Sequence, residues 1–220
     1  VDDNPNGNQR NWSKKEERKE FFDHYIKNEF LKHLPNSWKM SYSIANFLKD
    51  DIPQNVLAFL YNTNVVKNRF PYNTCIPLKI PEHSKKLTRI PSFGSFYSGS
   101  LEFYLCNVHI TFSPKETKFE EIKYLSNELF TYISNNYGQL ALDSTIFLGD
   151  FNTSYSTSYG TPKPTSDTWT NFYENNYQPH ITNTCTNVNN DKVYDNIWCR
   201  KEFNQIKKID KDKPNGVIQV

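Results

Sequence analysis

The sequence predicts a mixed α/β or α+β layered domain, on three observations. Apolar residues recur at three- and four-residue steps in two long stretches, the spacing of amphipathic helices. Around them lie runs rich in β-branched and aromatic residues, bounded by Gly, Pro and Asn, as strands are. Two of those runs are separated only by Gly99-Ser100, a hairpin arrangement, so antiparallel pairing accompanies the helices. At 220 residues the chain fits one large domain or two small ones and is long enough to bury a core. Its 14 Tyr, 16 Phe and 4 Trp can fill that core. The mean hydropathy of -0.76 reflects abundant Asn, Lys and Ser rather than disorder.

In chain order, residues 1–12 (VDDNPNGNQRNW) are polar, contain Pro and Gly, and read as a flexible arm. Within it Asn11-Trp12-Ser13 fits a glycosylation sequon, relevant to a secreted protein. Ser13 is an N-cap candidate for a helix that carries Phe21, Phe22, Tyr25, Ile26, Phe30, Leu31 and Leu34 on one stripe, and Pro35 ends it. WKMSYSI and VLAFLYN follow as strands, and residues 63–88 read as irregular. FGSFYSGSLEFYLCNVHITF reads as the hairpin. The clearest helix is SPKETKFEEIKYLSNELFTYISNNYG, with Phe119, Ile122, Leu125, Leu129, Phe130 and Ile133 on its apolar stripe. Pro114 suits its first turn and Gly138 its C-terminal cap. A strand over 145–151, a polar loop, a short helix near Trp169 and Phe172, and the strand VYDNIWCR complete the body. The expected organisation is an arm (1–12), one domain (13–203) and a basic polar tail (204–220).

Bulk properties exclude little but bound the options. A net charge of +2 does not by itself argue for nucleic acid, which would need a local basic patch. No apolar run approaches the length of a membrane span. The four cysteines form no close Cys-x-x-Cys pair, so structural zinc is not expected. Cys185 and Cys199 flank an expected hairpin and are candidates for a bridge, whereas Cys106 reads as a buried thiol. The chain starts at Val1 without a charged, then apolar, leader, which leaves the compartment open.

The stretch TIFLGDFNTS carries the first chemical signal. Alternation in a strand puts residues i and i+2 on one face, so Asp150 and Asn152 would emerge together at the strand end. That pair suits a metal and phosphate site, and it equally suits an ordinary turn built from Gly, Asp and Asn. Three further pieces accompany it: His109 ending CNVHITF, Asp195 in the Thr- and Asn-rich TNTCTNVNNDKVYDNIW, and Arg89 in LTRIPSF. Taken singly each has a plain explanation, as a surface histidine, a turn carboxylate, strand threonines (Thr182, Thr184, Thr186) or a surface charge.

Taken in this order, RIPSF, NVHIT, LGDFN and YDNIW resemble the deoxyribonuclease I-like nucleases of the endonuclease/exonuclease/phosphatase superfamily, over about residues 31–200. The resemblance implies a four-layer α/β/β/α sandwich that hydrolyses phosphodiesters at one end of its sheets. It implies His109, Asp150, Asn152 and Asp195 as catalytic residues. His109 would donate a proton or hydrogen-bond a phosphate, and Asp150 would orient a water or help hold Mg²⁺ (alternatively Ca²⁺ or Mn²⁺). Asn152, Arg89 and Thr184 would contact substrate phosphate, a charge-assisted contact in the case of Arg89. The expected partner is a nucleic-acid backbone, and Tyr155 and Tyr159 suit sugar and backbone contacts.

The pattern departs from the family in three places. No strand carrying the family's Gln-Glu metal ligand precedes the first helix. The last histidine is His180, which precedes Asp195, so the Asp-His segment that closes the family's site is missing. Gln54 and Asn55 stand where the family has the glutamate that pairs with its first histidine; an amide cannot stabilise an imidazolium as a carboxylate does. The expected fold therefore lacks the first and last strands of the family. Two functions compete, part of a divalent-metal-dependent endonuclease or a degenerate subunit with a structural or binding role among protein partners; a third, which no sequence feature favours, keeps the fold and takes a lipid or inositol phosphate as substrate.

Overall fold

A computed structural model describes residues 20–43, 56–70, 75–78, 87–112, 115–155, 167–182, 185–187 and 192–201. The expected arm, the tail, the Ser13 cap, Pro114, Gln54, Asn55, Tyr159 and Thr184 lie outside these residues.

The sequence hairpin forms as expected: β5 (Ser92–Ser98) and β6 (Leu101–His109) pair antiparallel across Gly99-Ser100. The 145–151 run forms β7 (Thr145–Asp150), which pairs parallel to β6. A parallel pair needs a long crossover, and the predicted helix supplies it. This helix, α2, comprises Lys115–Tyr124, a π-helical turn at Leu125–Leu129 and Phe130–Tyr137. Gly138, at φ 90°, ends it in a backbone conformation open to glycine, and α3 (Gln139–Asp143) leads into β7. The last strand, β9 (Asp195–Arg200), pairs antiparallel to β7. Among the described residues the sheet order is β3 (Lys67–Asn68), β5, β6, β7, β9, β8 (Tyr177–Pro179), with β4 (Ile76–Pro77) also on β5. The short strands β3, β4 and β8 are absent from the sequence reading. Two or three residues are too few to display a period, and their pairing is set by the neighbour.

A second sheet pairs β1 (Trp38–Tyr42) with β2 (Ala58–Asn62). Strand alternation divides the core in two. On one face of the large sheet Phe93, Cys106, Val108, Phe147 and Trp198 pack under the α2 stripe of Ile122, Leu125, Leu129, Phe130 and Ile133. The six expected stripe residues are all buried. A short helix, α4 (Thr170–Glu174), adds Phe172 to this layer. On the opposite face Phe96 meets Phe59 and Tyr61 of β2, with Phe103, Leu105 and Leu148 at the margin. Outside the small sheet lies α1, a π-helical turn at Phe22–Lys27 continued by Asn28–Leu31, whose Phe22 ring packs 4.5 Å from that of Tyr42. The layers thus run helix, sheet, sheet, helix, the four-layer α+β sandwich that the resemblance implies.

Two expectations need correction. Phe30, assigned to the α1 stripe, is 51% exposed. The π-helical turn before it adds a residue to the repeat and rotates later side chains off a 3.6-residue stripe. Cys185 and Cys199 do not bridge; all four cysteines are free thiols. Cys199 is buried in β9 with its Sγ 2.8 Å from His180 Nε2, and burial pushes its thiol pKa up to about 11.

Candidate functional site

Strand register decides which polar groups meet. His109 at the end of β6 is the pairing partner of Asp150 at the end of β7, and Asp150 is the partner of Asp195 at the start of β9. Neighbouring strands lie about 4.8 Å apart, so these residues form one row across three strands. The row lies on the face whose earlier positions, Leu105 and Leu148, pack towards the small sheet. Three residues separated along the chain by tens of positions thereby share one rim, at the C-terminal ends of the two parallel strands, where open α/β sheets usually bind ligands.

His109 Nε2 stands 3.9 Å from Asp150 Oδ2, close enough for attraction and too far for a hydrogen bond. Their protonation equilibria are displaced in opposite senses. Burial first, and the Arg89 guanidinium second, hold the His109 imidazole below its usual range, against the pull of Asp150, Asp195 and Glu121. Burial raises the Asp150 carboxyl, aided by Asp195 and opposed chiefly by the hydrogen bond from Asn152. Burial and the Arg89 charge both favour the neutral form of His109, which can accept a proton or share a hydrogen bond.

The GDFN segment forms the turn that its residue types allow. β7 stops at Asp150, and Asn152 turns into the left-handed region at φ 50°, so strand alternation does not place the pair. A turn does. Asp150 Oδ1 accepts the Asn152 backbone N–H at 2.7 Å, while its other oxygen faces His109. Asn152 is buried, and its side-chain amide donates to the Ile110 carbonyl at 2.8 Å, tying the end of β7 to the end of β6. One N–H of the amide expected to bind phosphate is thus engaged inside the protein. Gly149, at φ 135°, allows the turn: a Cβ there would lie 2.0 Å from the Val108 carbonyl oxygen.

Arg89 joins the same node, its Nη1 donating to the Ile110 carbonyl at 3.4 Å. Thr186, read from sequence as an ordinary threonine, accepts the N–H groups of both Tyr194 and Asp195 at 2.9 Å through its hydroxyl, fixing where β9 begins. Asn196 of the YDNIW segment is structural: its Oδ1 accepts the His180, Ile181 and Ile197 N–H groups and its Nδ2 donates to the Ile181 carbonyl, clasping β8 to β9.

Sequence reasoning missed two residues of α2. Glu121, 1% exposed, accepts the Thr88 N–H (2.8 Å), the Thr88 hydroxyl (2.5 Å) and the Thr111 N–H (2.7 Å). Lys118, 4% exposed, donates to the Asn152 carbonyl at 3.0 Å. They border the apolar stripe, and a charge at the border of a stripe reads as solvated unless the loops covering it are known.

For a divalent ion the donor set falls short. Among the described residues no three His, Cys, Asp or Glu side chains are placed to hold a metal. One Asp150 oxygen is also committed to the turn. The described residues do not form the expected Mg²⁺ centre.

Comparison with solved structures decides the fold. The chain is similar to an endonuclease/exonuclease/phosphatase family protein from Bacteroides thetaiotaomicron, with a TM-score of 0.53 at 14% identity over 86% of this chain and 75% of that one. The fold is that of the endonuclease/exonuclease/phosphatase proteins. A second such protein, from Bacteroides vulgatus, matches with a TM-score of 0.52 at 13% identity, covering 89% of this chain and 82% of its own. The catalytic domain of human Nocturnin, solved with a bound sulfate anion, matches with a TM-score of 0.52 at 12% identity, over 81% of this chain and 65% of that one. No family profile and no curated protein sequence matches the chain. In this endonuclease/exonuclease/phosphatase fold the aligned row of His109, Asp150 and Asp195 sits at one end of the paired sheets. No helix among the described residues is long and apolar enough to cross a membrane.

Proposed function

We propose that this chain carries part of a phosphodiester-hydrolysing site that acts on a nucleic-acid backbone. The observation that supports this most is the His109–Asp150–Asp195 row, with Arg89 beside it and with opposite displacement of the imidazole and carboxyl pKa values. The two pKa values are displaced towards each other, and titratable groups perturbed together by burial and by specific charged neighbours are characteristic of functional sites. Neutral His109 would accept a proton from the attacking water or hydrogen-bond a non-bridging oxygen. The Asp150 carboxylate would orient that water or the imidazole, and Asp195 would add negative field along the row. Arg89 would offset phosphate charge by a charge-assisted contact. Asn152 would hold Asp150 and Ile110 in place through its backbone N–H and one amide N–H and would offer its second amide N–H to phosphate, and Thr184 is a phosphate-contact candidate by resemblance.

Dependence on Mg²⁺, Ca²⁺ or Mn²⁺ belongs to this reading as a requirement the described residues do not meet by themselves. That shortfall, with the engaged Asn152 amide, favours a second reading: a degenerate subunit of the same fold that binds protein partners in an assembly.

Supercoiled plasmid and end-labelled single-stranded RNA, incubated with each ion or with EDTA, separate the two. The enzyme reading expects ion-dependent cleavage that falls by about 100-fold or more in Asp150→Asn, as loss of one member of a cooperating set does. Cleavage equal in Asp150→Asn and the parent would reject it, and absence of cleavage under every ion would favour the subunit.

A further inference from the structure

Lys118 and Glu121 lie three residues apart on α2, so both project from one side of the helix at its site end. Burying an ammonium or a carboxylate costs several kcal/mol per ion unless hydrogen bonds compensate. Here both side chains bond to the loops at the strand ends. Glu121 holds Thr88, next to Arg89, and Thr111, two residues beyond His109. Lys118 holds the carbonyl of Asn152, two residues beyond Asp150. The same Asn152 is strained at φ 50°, and such a conformation persists where its surroundings over-determine it. Its N–H, its side-chain amide and its carbonyl are each engaged, by Asp150, Ile110 and Lys118.

We propose that Lys118 and Glu121 are positioning residues: from buried places on α2 they clamp the segments bearing Arg89, His109 and Asp150, and thereby set the spacing of the row. The proposal rests on reading that row as a phosphodiester-hydrolysing site. Neither residue touches the reacting atoms. Their effect passes through Thr88, Thr111 and Asn152.

The test compares Lys118→Met, Lys118→Arg and Glu121→Gln with the parent chain, by cleavage kinetics on a fluorescent oligonucleotide and by amide hydrogen exchange. Loosening a site geometry by about 1 Å costs on the order of 100-fold in rate. Lys118→Met and Glu121→Gln are therefore expected to lower kcat by about 10- to 100-fold, with KM changed less than about twofold. Lys118→Arg, which keeps a cation on a long stem, is expected to recover most of that loss. Exchange at Thr88, Thr111 and Asn152 should quicken by about tenfold or more while the centre of α2 stays protected. Unchanged kcat in folded Lys118→Met and Glu121→Gln, or a loss confined to KM, overturns the proposal.

Should the parent chain not cleave at all, the enzyme reading fails on its own, and exchange still decides the clamp. Faster exchange confined to those three segments supports it; unchanged exchange overturns it. Should either variant fail to fold, Thr88→Val removes only the hydroxyl donor to Glu121 from an exposed side chain. It is expected to lower kcat, or quicken exchange at Thr111, in the same direction by about threefold, the loss of one modest hydrogen bond. No change in either quantity overturns the proposal.

Discussion

Gly149→Ala tests the packing on which the site stands. The added Cβ would lie 2.0 Å from the Val108 carbonyl oxygen, 3.0 Å from its carbon and 3.1 Å from Asn107 Oδ1. A carbon–oxygen contact normally sits near 3.4 Å, so something must move by about 1.4 Å. The obstacle is backbone of the neighbouring strand, paired to β7 through Val108↔Gly149, so no side-chain rotation relieves it. Forcing an L-residue to φ 135° adds about 1–3 kcal/mol of backbone strain, and overpacking adds about 1–3 kcal/mol more. The expected destabilisation is about 4 kcal/mol, near a thousandfold in the folding equilibrium. Urea denaturation measures it directly: with a slope of about 2 kcal/mol/M the midpoint falls by about 2 M. A loss below about 1 kcal/mol at unchanged slope would refute the claim that β6 and β7 meet this closely, and with it the spacing of His109 and Asp150.

Three other perturbations have defined outcomes. Burial raises the folded-state pKa of Asp150; the native state then holds the proton longer than the unfolded chain, and ionisation opposes folding as pH rises above about 4. Asp150→Asn retains an oxygen for the Asn152 N–H, so it should melt above the parent at pH 7, with the gap closing as pH falls through 4. A gap that widens on acidification contradicts the burial argument. The folded-state pKa of His109 is lowered, so its contribution to stability is lost as pH falls below about 6.5, where the unfolded chain takes up the proton first. His109→Gln should flatten the stability profile between pH 7 and 5, leaving a residual slope from His180, which burial displaces the same way. Phe172→Ala removes a fully buried ring in contact with Phe130, Phe147, Phe151, Trp169, Tyr177 and Trp198. A loss of about 4 kcal/mol by denaturant titration is expected; one below about 1 kcal/mol would mean that α4 is not docked on the large sheet.

Much of the architecture was legible because it is written in local periods. The α2 stripe, the β5–β6 hairpin with its turn at Gly99-Ser100, and the 145–151 strand each repeat over enough residues to declare their type. Where the repeat is short or interrupted the reading failed, as at β8 and after the π-helical turn before Phe30. The grouping of the candidate residues was legible from residue types in order: His109, Asp150, Asn152, Asp195 and Arg89 all lie at one rim. Their roles were less so. Asn152 was expected to reach a phosphate, and the bond by which its amide also ties two strand ends together was not foreseen. Cys199 was a candidate for a bridge and lies beside His180.

The sequence by itself determined which of the longer segments become helix or strand, and which chemistry-bearing residues stand at their ends, since both follow from side chains a few positions apart. Only the tertiary structure decided that His109, Asp150 and Asp195 form a row, that Asn152 is engaged inside, and that Lys118 and Glu121 are buried. Those outcomes depend on strand register and on hydrogen bonds spanning 10 to 42 residues of chain. The partner at such a distance is chosen by the packing of whole layers, and no local pattern encodes it.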